Sequence, residues 1–232
     1  MSDVSHRILI GAYGWRHQGW QDAFYPDDLP QDWQLGYYSN EFPVVMIPAA
    51  YWQQGDEAIE EALEDSAETL RIVYEAPVIL QHETVVTEVL STLDVFTMQN
   101  INNERQGVAL VIPANSVDFP FAELLAHLDL TIPIIFSFAP EVGSEQIASL
   151  EPMLKDYGAG LCWNGGDNAE VLQLGQVALT IIQQQLDMPQ LRKVIETILA
   201  NTSAEQESVL IFQGEPPAID LMHNADVMLG LF

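Results

Sequence analysis

Eight short runs of apolar residues recur along the chain, and they constrain its fold more than any other feature. Polar turn residues follow each run, and in most cases a helical pattern comes next. The runs are continuous rather than alternating, which is typical of strands buried on both faces of a parallel sheet. They occupy residues 8–13, 44–50, 72–77, 107–113, 133–139, 158–164, 176–182 and 208–214.

The segments between these runs predict helices over residues 55–70, 84–99, 144–157, 189–201 and 217–229. In the third of these, Ser144 is a candidate N-cap and Gly158 a candidate C′ residue. Pro189 stands at a position that suits the first turn of the fourth helix.

Strands that alternate with helices throughout one chain predict an α/β fold, and eight such strands predict a (β/α)8 TIM-barrel-like domain. No long Gly/Ser linker divides the 232 residues, so we expect a single domain over residues 1–232. An open, doubly wound sheet is the alternative. Pairing between the first and last strands separates the two folds, and the sequence does not show that pairing.

The acidic composition restricts the partners of the chain. Asp and Glu number 34 against 7 Lys and Arg, which gives a formal net charge of −27 at pH 7. Phosphate binding depends on Lys and Arg, so we expect neither nucleic acid nor a membrane as partner. Two interpretations of the acidic surface stay open: a solvated shell adapted to salt, or a face that meets a basic protein partner.

The first residues, MSDVSHRILIGAYG, place one Arg before a short apolar run that ends at Gly11. They lack the long apolar stretch and the cleavage site of a secretory signal peptide. No apolar run along the chain reaches the roughly 18 residues that cross a bilayer. The sequence therefore predicts a cytoplasmic protein.

The single cysteine, Cys162, excludes an internal disulfide and a cysteine-based metal cluster. It lies in the apolar stretch GAGLCWN, which predicts a buried strand thiol. A nucleophilic cysteine needs a His and a positive environment nearby, and the sequence offers neither.

Residues 10–52 read IGAYGWRHQGWQDAFYPDDLPQDWQLGYYSNEFPVVMIPAAYW. This segment resembles the opening of the YecE-like family, bacterial TIM-barrel proteins with a domain of unknown function. The family opens with an Ile-Gly-x-x-Gly-Trp turn, followed by Gly-Trp, Phe-Tyr-Pro, Leu-Pro and Tyr-Tyr. The matching positions are Gly11, Gly14, Trp15, Gly19, Trp20, Phe24, Tyr25, Pro26, Leu29, Pro30, Tyr37, Tyr38 and Phe42.

The departures from this pattern fall at the predicted strand ends. Glu75 stands where relatives have Lys, and Val111 where they have Gln, whereas His82 matches the family's His. Residues 46–52 replace the family's Glu-Ile-Asn-Ser-Thr-Phe-Tyr with MIPAAYW. The resemblance implies that the barrel scaffold is kept while many polar groups at its active-site end are lost.

The opening turn supplies the first candidate binding residues. Trp15 and Trp20 follow the Gly11–Gly14 turn and suit stacking, and Arg16 and His17 beside them suit an anionic or hydroxyl group. Two interpretations coexist here: a structural cap over the barrel end, or a pocket wall. Two aromatic residues after the second strand run complete this ligand-binding set, Tyr51 and Trp52.

Polar residues at other strand ends are the remaining candidates. Glu75, His82 and Glu215 are candidate catalytic residues because carboxylate and imidazole groups at the C-terminal end of a barrel serve general base or metal chemistry. Asn164 and Asp167 in the stretch NGGDN are candidate ligand-binding residues; a plain Gly-Gly turn is the alternative. The spacing of these His and acidic residues along the sequence is not a metal-binding signature, so the metal stays unknown and no cofactor is assigned.

Three hypotheses for function follow. The first is a degenerate barrel that binds a small-molecule ligand or a partner at its C-terminal rim without catalysis. The second is an active hydrolase or isomerase, metal-assisted in one version, that uses Glu75, His82 and Glu215. The third is an acidic interaction protein. The apolar replacements at the strand ends favour the first, because catalysis needs polar groups placed at the reacting atom.

We predict that the chain does not bind nucleic acid at physiological salt, because its charge of −27 opposes phosphate. An electrophoretic mobility shift with DNA and RNA measures this. Micromolar or tighter binding without divalent metal would contradict it.

Overall fold

The structure, a computed structural model, describes residues 8–53, 57–100, 107–128, 131–183 and 185–232. Within these residues, eight strands form one parallel sheet. Each lies within or overlaps one of the predicted runs, which confirms the strand predictions. The strands are β1 (Ile8–Tyr13), β2 (Val44–Ile47), β3 (Arg71–Glu75), β4 (Gly107–Ala114), β5 (Ile134–Phe138), β6 (Gly160–Leu161), β7 (Val177–Ile182) and β8 (Glu207–Phe212).

Helices connect the strands and pack outside the sheet. In the described chain they are α1 (Gln34–Glu41), α2 (Ala49–Gln53), α3 (Glu57–Glu64), α4 (Val86–Asn100), α5 (Phe121–His127), α6 (Ser144–Ala148), α7 (Glu151–Tyr157), α8 (Met188–Asn201) and α9 (Ile219–Leu229). Short 3-10 turns lie at Gln18–Trp20, Gln31–Trp33 and Ala169–Gln173. No helix of the described residues is both long and apolar enough to span a membrane.

The strand order is β6-β5-β4-β3-β2-β1-β8-β7, so the first and last strands are neighbours. Gly11 of β1 pairs with Ile211 of β8 on one side and with Val44 of β2 on the other. The sheet closes where β6 meets β7, because the N–H of Trp163 donates to Leu179 O at 2.9 Å and its carbonyl accepts from Ile181 N at 2.9 Å. The (β/α)8 barrel is confirmed over the doubly wound alternative.

Two apolar layers hold the barrel. Alternate strand residues point inward and form a buried cluster of small branched side chains, among them Val44, Val73 and Ile211. The residues between them face the helices in a larger outer cluster. This arrangement explains why the strand runs are continuously apolar in the sequence.

The predicted helix over residues 144–157 is two helices, α6 and α7. In one continuous helix, the N–H of residue 152 would donate to the carbonyl of Ala148. Pro152 has no N–H, and α6 ends at Ala148. Ser144 is the first helical residue and Gly143 holds the N-cap position, so the Ser144 cap prediction is wrong by one residue. Gly158 ends α7 with φ +68°, as expected for a glycine in the left-handed region.

The start of α8 is fixed by reciprocal capping. The carboxylate of Asp187 accepts from Gln190 N at 2.9 Å, and the Gln190 side chain accepts from Asp187 N at 2.8 Å. Pro189 lies in the first turn, as the sequence predicts.

The hydroxyl of Tyr38 joins α1 to the barrel. It accepts from Ala12 N of β1 at 2.8 Å and donates to Val44 O of β2 at 2.8 Å, and the whole side chain is buried. Removing this hydroxyl leaves a buried donor and a buried acceptor unsatisfied.

We therefore expect Tyr38→Phe to lower the free energy of unfolding by about 1–3 kcal/mol. Tyr37→Phe is the matched control, because the Tyr37 ring is partly exposed and surface changes stay within about 0.5 kcal/mol. Urea denaturation of both variants measures the difference. Equal stabilities would show that the Tyr38 hydroxyl does not hold α1 to the strands.

Candidate functional site

The turn after β1 brings the aromatic stretch over the barrel end. Gly14 has φ +77°, and its N–H donates to Met46 O at 2.8 Å, which extends the β1–β2 pairing by one residue. A Cβ on Gly14 would lie 2.9 Å from the Tyr51 hydroxyl oxygen. Both the backbone conformation and the close approach of Tyr51 require glycine at this position.

Both tryptophans of this turn are completely buried. The Trp15 ring meets the edge of Tyr51 with centroids 5.0 Å apart. The Trp20 indole N–H donates to Pro217 O at 2.9 Å, so it ties the turn to the loop after β8, and its ring lies parallel to Tyr38. In this conformation neither indole presents a face to a ligand, as the structural-cap interpretation expects.

Arg16 and His17 pack against the rings of this turn. The Arg16 guanidinium lies 5.6 Å from the Trp15 ring centroid and 5.5 Å from that of Tyr51, a cation–π arrangement on both. The Nε2 of His17 donates to Tyr13 O at 3.0 Å, because a carbonyl only accepts. Its Nδ1 lies 3.7 Å from a carboxylate oxygen of Glu215.

Glu75 joins three elements at the barrel mouth. One carboxylate oxygen, Oε2, accepts from the Tyr13 hydroxyl at 2.6 Å and from Ala49 N at 2.7 Å. These bonds tie the ends of β1 and β3 to the start of α2. Burial and the adjacent Glu75 raise the pKa of Tyr13 far above its usual value, so its hydroxyl stays a donor. Glu75 is therefore engaged by neutral donors of the fold.

The three candidate catalytic residues do not act on one another in the structure. Glu75 is half-buried, His82 is exposed on the turn after β3, and the Glu215 side chain is 93% exposed. No hydrogen bond or ion pair joins any two of these described side chains. Among the described residues, no group of three or more His, Cys, Asp or Glu side chains is arranged to hold a metal ion.

The two aromatic candidates on α2 have different surroundings. The Tyr51 hydroxyl accepts from Arg16 N at 3.1 Å, so Tyr51 belongs to the opening turn. Trp52 packs instead against Tyr74 and Phe96, with ring centroids 5.9 and 5.6 Å away. Trp52 therefore lies in the layer between β3 and α4.

A cavity of about 630 Å³, here called the rim cavity, lies at the C-terminal ends of β5, β6 and β7. It brings together the candidate ligand-binding residues Asn164 and Asp167. The ends of these strands and the loops after them supply its lining, which includes Ser137, Ala139, Cys162, Asn164, Asp167 and Gln183.

Local hydrogen bonds shape the NGGDN loop of the rim cavity. The Trp163 indole N–H donates to Gly166 O at 2.9 Å, and Gly166 N donates to the Asn164 side-chain oxygen at 3.3 Å. Gly165 between them has φ +87°, which glycine adopts without strain. The loop is thus a tight glycine turn that also forms one wall of a cavity.

Sequence reasoning missed Ser137, Cys162 and Gln183 as cavity residues. Ile135 belongs to the inner cluster, so Ser137 two residues further faces the same side at the upper end of the barrel. A signal was present, because Ser137 is the polar residue in IIFSF and Gln183 directly follows the apolar run of β7. The sequence predicts Cys162 as a buried strand thiol, whereas in the structure it directly follows β6, is half-buried and packs against the inner cluster.

A second cavity, of about 860 Å³, lies at the opposite end of the barrel, where the strands begin. There Arg71 of β3 donates to a carboxylate oxygen of Glu207 of β8 at 2.7 Å. Binding sites of TIM barrels form at the C-terminal ends of the strands, and the N-terminal end serves stability. The smaller rim cavity is therefore the candidate functional site.

These features define the class of the protein, a (β/α)8 barrel with its candidate site on the C-terminal loops. The family described as "Protein of unknown function DUF72" matches residues 9–225, so the chain belongs to the DUF72 family. No curated protein sequence matches the chain.

Solved structures of the same family share the fold. A DUF72 family protein from Thermotoga maritima MSB8 superposes with a TM-score of 0.72 at 13% identity, over 96% of this chain and 99% of that one. A DUF72 family protein from Enterococcus faecalis V583 gives a TM-score of 0.70 at 12% identity, over 97% of this chain and 96% of that one. At such identities the likeness establishes the fold.

The thiol of Cys162 gives a test of the rim cavity. Burial raises its pKa from 9.0 to about 12, so at pH 9 only about one thousandth of it is thiolate. We expect alkylation of the folded protein by iodoacetamide at pH 9 to be about a hundredfold or more slower than that of the unfolded chain. Mass spectrometry of samples quenched over time, with and without guanidinium, measures the ratio. Similar rates would mean that the thiol is open to solvent.

Proposed function

We propose that this DUF72 barrel binds a small-molecule ligand in the rim cavity and does not catalyse a reaction. One observation carries the proposal: a cavity of about 630 Å³ at the end of the barrel where this fold places its ligand sites. Asn164 and Asp167, both predicted as ligand-binding residues, line it.

The chemistry of the described residues supports binding over catalysis. Glu75 is engaged by Tyr13 and Ala49, and no hydrogen bond or ion pair links it to His82 or Glu215. The raised pKa of Cys162 keeps its thiol protonated and thus a poor nucleophile. General acid–base catalysis needs such groups to converge on one reacting atom, whereas Glu75 is tied to the fold and His82 and Glu215 lie exposed on the separate loops after β3 and β8.

The resemblance of residues 10–52 to YecE-like proteins supports a finer assignment. Their framework glycines and aromatics are present here, as in Gly14 and Trp20, and both serve the fold. Met46 and Glu75 stand where YecE-like proteins carry Glu and Lys. We therefore regard the chain as a divergent YecE-like member whose rim has lost polar groups.

Filling the rim cavity tests this function. Ala139 lines the cavity, so Ala139→Trp should occupy it, whereas Ala126 lies exposed on α5 and Ala126→Trp is the matched control. We expect a thermal-shift screen of small metabolites to find a ligand that stabilises the wild type and the control. At about a hundredfold excess over Kd the gain is about 2.7 kcal/mol.

Ala139→Trp should abolish that stabilisation while circular dichroism shows an intact fold. A ligand that stabilises Ala139→Trp as strongly as the wild type would place binding elsewhere. A screen in which no compound stabilises the wild type would contradict the proposed function.

A further inference from the structure

The polar side chains that line the rim cavity are almost all neutral. Those with hydrogen-bonding groups are Ser137, Ser144, Cys162, Asn164, Asn168 and Gln183. Asp167 is the charged residue among the described lining, and its side chain is exposed. Apolar side chains such as Phe138 and Ile181 complete the walls.

None of the described Lys, Arg or His residues lines the rim cavity. An anionic ligand would therefore enter without a counter-ion, and removing an unpaired charge from water is costly. The net charge of −27 adds repulsion from the rest of the molecule. Both effects act against carboxylates and phosphates.

The neutral groups remain suited to amides and hydroxyls. The oxygen of the Asn164 side chain accepts from Gly166 N, which leaves its NH2 group as a donor at the cavity wall. The protonated Cys162 thiol and the Ser137 hydroxyl lie together at the cavity floor. The apolar walls provide the contact area for the body of a ligand.

We infer that the rim cavity selects an uncharged ligand with an apolar body and amide or hydroxyl groups at one edge, and that it rejects carboxylates and phosphates. This inference rests on the proposed function and gives the chemical class of its ligand.

Matched probe pairs test the inference. Each pair consists of an amide and the carboxylate with the same ring system, nicotinamide and nicotinate among them. Ligand-observed NMR and calorimetry measure the affinity of each probe for the wild type and for Ala139→Trp, at a salt concentration that screens the overall charge. We expect the amides to bind the wild type and to lose this binding in Ala139→Trp. Their carboxylate partners should bind the wild type at least about tenfold more weakly.

A charge variant makes the test independent of cavity filling. Asn164 is exposed and its side-chain bond from Gly166 N is long at 3.3 Å, so Asn164→Lys should fold, and its ammonium should restore carboxylate binding by about tenfold or more. Asn40→Lys on α1 is the matched control, since it makes the same change of net charge far from the cavity. It should leave the preference for amides unchanged.

The possible failures are distinguishable. The carboxylates could bind the wild type as tightly as their amides and lose this binding in Ala139→Trp. That result would overturn the ligand class while the proposed function stands. If Asn40→Lys restores carboxylate binding as Asn164→Lys does, then overall charge, and not the cavity lining, sets the selectivity. If no probe binds the wild type in a way that Ala139→Trp abolishes, the proposed function is overturned and the inference with it.

Discussion

Closure of the parallel sheet is the constraint on which the rest of the structure depends. Every strand of a barrel needs a partner on both sides, or its backbone groups are left unpaired. Between β1 and β8 the closure is a full ladder from Ile8–Ser208 to Ala12–Phe212. Between β6 and β7 it consists of the two hydrogen bonds of the Trp163 backbone. β6 is only two residues long, and the rim cavity lies at this seam, at the C-terminal ends of β5, β6 and β7.

Elsewhere on the C-terminal rim, hydrogen bonds between described residues serve the fold. The Tyr13–Glu75–Ala49 hydrogen bonds cover the end of β2, and the Trp20–Pro217 bond draws the opening turn onto the loop after β8. Among the described residues, hydrogen bonds tie the loops over β8, β1, β2 and β3, and the rim cavity lies over β5, β6 and β7. Glu75, which looks reactive in the sequence, holds these loops together, whereas His82 and Glu215 are exposed.

The sequence predicts the fold well because burial on both faces makes each strand continuously apolar, and each of the eight runs overlaps a strand. It predicts the site less well. Trp15 and Trp20 suit a structural cap and a pocket wall equally, since an indole has both an apolar ring and a hydrogen-bond donor. Only the path of the loop after β1 decides between the two interpretations. Ser137, Cys162 and Gln183 meet in space because of the barrel register, which local patterns do not contain.

The charge of the chain and the chemistry of its cavity are separate properties. Acidic residues lie mainly on exposed helix and loop positions, where water solvates them, and they are spread along the sequence. The ends of β5, β6 and β7 carry Ser137, Cys162 and Gln183 instead, which hold no formal charge while the thiol stays protonated. Among the described residues that line the cavity, Asp167 carries the formal charge and lies exposed at its edge. For the ligand that we propose, the shell would thus set which molecules approach, and the mostly uncharged lining would set which of them bind.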